Sequence, residues 1–349
     1  MHFASDNSGP VPDQVMQALA TANAGYTMAY GDDAITARVQ DRIRDLFEAP
    51  QAVVHLVATG SAANALALAS LSRPWQTVFC SPVAHIHEDE CNAPEFYTGG
   101  AKLTLVPGGD RMTPDALRQS IAGEETRGVH GPARGPVSIT QVTERGNVYD
   151  LADLGALCDV ARGFGLPVHL DGARFANALA ALGCTPADMT WKAGVDVVSF
   201  GGTKNGLLGV EAVIFFNPDH AVPFEHLRKR GGHLFSKMRY LAAQMDAYLS
   251  DDLWLDLARR SNTACARLAD GLRARNAVQI VNDPRANMIF ARLPRGWHQA
   301  AYAGGASYHL FEGPLEGDDP DAPLMARFVC DWSLDAASVD RFLDLLPRT

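Results

Sequence analysis

A lysine at the end of an apolar run is the first residue here that could do chemistry. In VDVVSFGGTKNGLLG, residues 195–209, the run ends in Gly201-Gly202-Thr203-Lys204-Asn205-Gly206. Lysine is costly at the end of a buried strand, because its charge leaves water. Partly removed from water, it loses pKa and becomes a usable amine for a Schiff base. The glycines on either side let a ligand approach the backbone closely. Taken alone, the segment fits an exposed turn lysine equally well. A second segment, PVHLDGARFANA (residues 167–178), delivers Asp171 at the C-terminal end of an apolar strand, followed by Gly172, Ala173 and Arg174. Ligands of open α/β sheets lie beyond such strand ends. Asp171 precedes Lys204 by 33 residues (204 − 171), room for one helix and one strand return. Capping of the next helix is its plain alternative.

The third segment is Thr59-Gly60-Ser61-Ala62-Ala63-Asn64, after the run VVHLVA. Backbone N–H groups at a helix start, beside a hydroxyl, form a natural phosphate site, although such turns are also common caps. An amine, an acid and an anion site together are what pyridoxal phosphate requires. An acid beside its pyridine nitrogen keeps that nitrogen protonated, so the ring can accept electrons from a substrate carbanion.

These residues need a scaffold, and the hydropathy pattern supplies one. Further β-type runs are TVFCSP, KLTLVPG, PVSITQVT and EAVIFF, with helical stretches between, such as residues 34–48 and 150–164. Alternation of this kind predicts an α/β fold with a large, mostly parallel sheet. After about residue 225 the pattern changes. A long helical region near 233–275 leads to short strands AVQIV, NMIFARL and ARFVCDW and a last helix near 335–346. We therefore expect an extended arm over residues 1–15, a large domain over 16–232 and a smaller α+β domain over 233–349.

Composition agrees with an enzyme of this size. The 349 residues are 47% hydrophobic, enough for a substantial core. The net charge of −10 argues against non-specific binding to nucleic acid or anionic membrane. There is no long apolar span and no signal-peptide pattern, and the six cysteines lack CxxC spacing. Reduced thiols in a cytoplasmic protein are the expectation, and no metal site is implied.

In order and spacing, strand–TGS–helix, HLDGAR and SFGGTKNG resemble the L-threonine aldolases, in the pyridoxal-phosphate-dependent transferase-like fold group of aspartate aminotransferase. The likeness covers nearly the whole chain, from Ser5-Asp6-Asn7 and Tyr30-Gly31-Asp32-Asp33 to Ala326-Arg327-Phe328. The FGGTKNG form and Gln141-Val142-Thr143-Glu144 look closest to the phenylserine, low-specificity branch. The resemblance implies reversible cleavage of L-β-hydroxy-α-amino acids to glycine and an aldehyde. Lys204 would carry the Schiff base, Asp171 would face the pyridine nitrogen, and Arg174 the ring oxygen. Gly60 and Ser61 would hold the phosphate, with Thr203 and Arg228 as further cofactor contacts. His85 would stack on the ring, with His87 its local rival.

By the same resemblance Ser5 and Arg327 would bind the substrate carboxylate, an internal salt bridge being the alternative for Arg327. His130 would lie near the substrate hydroxyl, although RGVHGPARG departs from the family there, and Glu144 is another candidate. The base is then His85, His130 or a water they hold. Tyr30 and Arg228-Lys229-Arg230 resemble segments that reach a neighbouring subunit's site, or else form a solvated helix end. A homotetramer with sites at dimer interfaces is implied. β-Elimination or transamination on the same fold is the rival reaction, and cofactor binding without turnover the rival class.

Overall fold

The computed structural model describes residues 1–347. Seven strands make the larger sheet: β1 (Val53–Val57), β2 (Gln76–Cys80), β3 (Lys102–Leu105), β4 (Ala133–Thr140), β5 (Val168–Gly172), β6 (Val197–Gly201) and β7 (Glu211–Phe215). Their order is β1-β7-β6-β5-β4-β2-β3. Only β7 runs antiparallel to its neighbours, so the sheet is mostly parallel as the alternation predicts. Strands β5, β6 and β7 are buried along their whole length. Helices cover both faces, which is why these strands read as continuous apolar runs rather than alternating ones.

The helix Gly60–Leu71, which follows β1, is unusual in being buried from Ala62 to Ser70. Its alanines and leucines tolerate contact all round. Thr59 caps it, its side chain accepting the Ala62 N–H at 3.2 Å. Polar groups inside the sheet are paired across strands. His169 of β5 sits between Ser138 of β4 (2.9 Å) and Ser199 of β6 (3.0 Å), tying three parallel strands together.

The smaller sheet has the order β10-β11-β9-β8 and is antiparallel throughout, from β8 (Gln279–Ile280), β9 (Met288–Pro294), β10 (His309–Leu310) and β11 (Pro323–Val329). The long helical region expected near 233–275 is two helices, Arg239–Leu249 and Leu253–Arg273. Asp251 and Asp252 adopt left-handed φ values of 52° and 55° between them, which ends the first helix. Beyond the expected domain step at 232/233, several side chains still pack on the larger sheet. Leu241, Met245, Tyr248, Trp254 and Leu257 pack into the core of the larger sheet, and the second core begins with Ala264. One long helix thus serves both cores: its buried residues, from Trp254 to Leu272, recur every three or four positions on one face, whose first half meets the first core and whose second half meets the other. The arm is shorter than 1–15, since a helix starts at Asp13. Its Phe3 is buried in the second core, and its backbone bonds to Ser307 and Val329.

Burial pushes the His169 imidazole down to about 4. The folded chain therefore keeps His169 neutral while the unfolded chain takes a proton below about pH 6.5. That difference favours unfolding increasingly as pH falls from 6.5 towards 4. Urea denaturation is expected to show a loss of about 2 kcal/mol between pH 7 and pH 5 from this residue, reduced in His169→Gln.

Candidate active site

Lys204 lies in the short turn Thr203–Asn205, directly beyond β6. The turn needs its glycines. A Cβ on Gly202 would meet Leu207 Cδ1 at 2.6 Å and the Val210 carbonyl at 2.7 Å, and Gly206 has φ of 114°. Asn205 holds the turn from beneath, donating to Tyr248 Oη at 2.7 Å and the Trp254 carbonyl at 2.8 Å. The lysine amine lies largely out of water. Burial and then Arg174 lower its pKa, against the opposing pull of Asp6, Asp171 and Glu211.

Asp171 sits at the end of the adjacent strand, β5, and is buried. One of its oxygens accepts from Asn64 Nδ2 at 2.8 Å and the other from the Ala173 N–H at 3.0 Å. Asn64, from the buried helix, also donates to Glu90 Oε1 at 2.9 Å. Glu90 in turn meets His85 Nδ1 at 2.8 Å. A chain of contacts therefore runs Asp171–Asn64–Glu90–His85. The Glu90 contact raises the His85 pKa, so this imidazole favours its proton.

These groups line a cavity of about 340 Å³, a size suited to a small molecule, together with Thr59, Gly60, Ser61, Thr203 and Arg174. An adjoining cavity of about 170 Å³ contains Ser5, Arg327, Phe290 and Phe311. Asn7, His85, Glu144, Arg174 and Lys204 border both. Arg174 is held by Asp6 in a two-pronged contact, Nε at 2.7 Å and Nη2 at 3.0 Å. Asn287 adds a third contact to Asp6 at 3.0 Å. Burial alone would raise the Asp6 pKa, but Arg174 and Lys204 outweigh it and the net shift is downward. Arg327 has no such partner. It donates to the Ala4 carbonyl at 3.2 Å, lies over Phe311 at 5.5 Å, and leaves Nε buried and unbonded. No carboxylate among the described residues forms a salt bridge with it, so the internal-pair alternative does not occur.

Lys204, Asp171, Arg174, Gly60, Ser61, Thr203 and His85 thus meet around one cavity, and Ser5 and Arg327 around its neighbour. His130, Tyr30 and Arg228 stand outside both. His130 is exposed in the turn Gly128–His130. Tyr30 is exposed, with the Lys229 ammonium 4.8 Å from its ring centre. Arg228 is buried and donates to the Leu56 carbonyl at 3.2 Å. Three polar participants escaped the sequence reading: Asn64, Glu90 and Glu211. Asn64 in an alanine–leucine helix and Glu211 opening an apolar strand were both visible as polar residues out of place. Glu211 accepts the Gly202 N–H at 2.6 Å, and burial lifts its carboxyl to about 7.

The beta-eliminating lyase family model matches residues 2–294. The low specificity L-threonine aldolase of Pseudomonas aeruginosa is 41% identical over 338 residues, spanning 97% of this chain and 94% of that protein. That of Saccharomyces cerevisiae is 23% identical over 282 residues, 80% of this chain and 70% of the other. Among solved structures, the threonine aldolase of Leishmania major superposes with a TM-score of 0.90 at 26% identity, covering 99% of this chain and 98% of that one.

Asp6→Ala leaves the Arg174 guanidinium partly buried without its carboxylate. It is expected to cost about 3–5 kcal/mol in urea denaturation.

Proposed function

The chain belongs to the beta-eliminating lyase family and to the low specificity L-threonine aldolases, and on that premise we propose that it cleaves L-threonine, L-allo-threonine and L-phenylserine to glycine and an aldehyde. It is a pyridoxal-phosphate-dependent lyase. The residues present fit that cofactor. A largely desolvated amine and a buried carboxylate stand at adjacent strand ends. Beyond Gly60, at the start of a long helix, an added Cβ would meet no atom within 4 Å, so there is room for an anion. When bound, pyridoxal phosphate supplies an electron sink for the pair released as the Cα–Cβ bond breaks.

The observation that carries the reading is this pairing of Lys204 and Asp171 beside an arginine without an acid. Lys204 would hold the cofactor through its amine. Asp171, fixed by Asn64, would keep the ring nitrogen protonated. Arg174 would face the ring oxygen, His85 the ring face, and Gly60, Ser61 and Thr203 the phosphate. Ser5 and Arg327 would anchor the substrate carboxylate, which fixes the bond to be broken relative to the ring. The aromatic side chains Phe290 and Phe311 in the adjoining cavity favour phenylserine among the substrates.

Tyr30 and Arg228 would serve a neighbouring copy in a cytoplasmic homotetramer with sites at dimer interfaces. Exposed Tyr26, Met28 and Phe235 beside the Tyr30 segment support such a contact. A part for His130 near the substrate hydroxyl requires its turn to approach a site in that assembly.

Incubation with each of the three amino acids is expected to yield glycine and the matching aldehyde in equal amounts. Keto acid and ammonia instead would mark β-elimination, and keto acid without ammonia would mark transamination. Lys204→Ala is expected to reduce cleavage to background. Arg327→Ala should raise KM roughly ten- to hundred-fold, while cofactor absorbance persists.

A further inference from the structure

The reaction proposed above needs a group to take the proton from the substrate β-hydroxyl. His85 is poorly suited, since its Nδ1 is engaged by Glu90 and that contact favours the protonated ring. His130 lies outside both cavities. One carboxylate borders both, and it is Glu144, at the turn that follows β4. The larger cavity holds Asp171, Glu90 and Glu211 as its other acids, and the smaller holds Glu88 and Asp89.

The two oxygens of Glu144 are not equivalent. Oε1 is fixed from two sides, accepting the His85 backbone N–H at 2.7 Å and the Thr140 hydroxyl at 2.8 Å. Oε2 is buried and has no hydrogen-bond partner among the described residues. A buried carboxylate oxygen left without a donor is expensive, and Glu144 lines both cavities, so a small turn of its carboxyl would set Oε2 against a substrate hydroxyl bound there. The neighbouring Arg145 is turned away towards the Phe290 and Phe311 rings, at 5.3 and 5.7 Å, and makes no salt bridge with Glu144.

We propose that Glu144 is the base of the cleavage, its Oε2 accepting the proton of the substrate β-hydroxyl. The inference rests on the aldolase reading of the site. The proton passes from the hydroxyl to Oε2. The O–H pair becomes the second bond of the aldehyde carbonyl, and the Cα–Cβ bond breaks. Its electron pair stays with Cα, for which the bound cofactor would supply the electron sink. Return of one proton to Cα completes glycine, so the sum is one amino acid to glycine plus aldehyde, with no further reactant.

The surroundings tune Glu144 for this task. Burial first, and then Asp171, raise its carboxyl to about 7, while the His85 and Thr140 donors hold it from rising further. Lys204, Arg174, Arg145 and Arg327 are the cations facing the same two cavities, His85 the titratable imidazole bordering both, and Glu90, Glu211, Glu88 and Asp89 the remaining acids. A base with this proton affinity is ionised above about pH 7 and protonated below it. The wild-type kcat/KM should accordingly fall about tenfold per pH unit on the acid side.

The test compares the cofactor-loaded wild type with Glu144→Gln and Glu144→Asp. Three quantities are read: L-phenylserine and L-threonine cleavage from pH 5.5 to 9, cofactor absorbance, and exchange of the glycine α-proton in deuterated water. Glu144→Gln should lose roughly 10²–10⁴-fold in kcat and its acid limb. It should keep the cofactor and glycine exchange, because neither involves a β-hydroxyl. Glu144→Asp should recover part of the rate with the limb restored. Near-wild-type kcat in Glu144→Gln with the limb unchanged would overturn the assignment. So would loss of glycine exchange together with cleavage, which would make Glu144 a prop of the site. Absence of cleavage in the wild type itself would instead fail the aldolase reading, and this assignment with it.

Discussion

Three carboxylates surround the Lys204 amine, and each is already held by other groups. Asp6 is taken by Arg174 and Asn287, Asp171 by Asn64 and the Ala173 N–H, and Glu211 by the Gly202 N–H. None forms a salt bridge with Lys204 among the described residues. The acids therefore soften the cost of a desolvated amine without fixing it in an ion pair. That balance depends on the rest of the molecule. Parallel strands β5 and β6 set Asp171 and Lys204 side by side, and the buried Gly60–Leu71 helix brings Asn64 beneath them.

A second consequence of this arrangement is the separation of roles among acids that look alike in sequence. Asp171 accepts two donors and stays buried beside the lysine. Glu90 faces an imidazole and an amide. Glu144 has one oxygen saturated and one free. The environment of each, rather than its residue type, sets what it can do. The adjoining cavity completes the division, with Arg327 offering a guanidinium that has no acid of its own.

Much of this was legible in the residues. The strand ends at Asp171 and Lys204 combine an apolar run with a polar residue and glycines, a local signal that survives folding unchanged. The Thr59 cap is local as well. What escaped depended on distant contacts. Asn64 and Glu90 gain meaning only from Asp171 and His85, which other elements bring to them. The break at Asp251-Asp252 depends on two residues held at positive φ, which helical periodicity on either side conceals. The core boundary slides into the Leu253–Arg273 helix because one continuous apolar face can lie across two cores, and spacing alone cannot say where one core gives way to the other. Tyr30 and Arg228 stand apart in the single chain, for the resemblance places them by reference to a neighbouring copy, and His130, expected near the substrate hydroxyl, sits in an exposed turn outside both cavities.

The arm of residues 1–12 is also a clasp between the two sheets. Its backbone is stitched to Ser307 and Val329, its Phe3 lies under the second sheet, and its Asp6 grips both Arg174 and Asn287. Its partners lie in both halves of the molecule: Arg174 follows β5, while Asn287, Ser307 and Val329 belong to the smaller sheet and its connections. Any slippage between the two sheets would therefore strain the grip of Asp6 on Arg174, so that one wall of the reaction chamber registers how the two halves are seated.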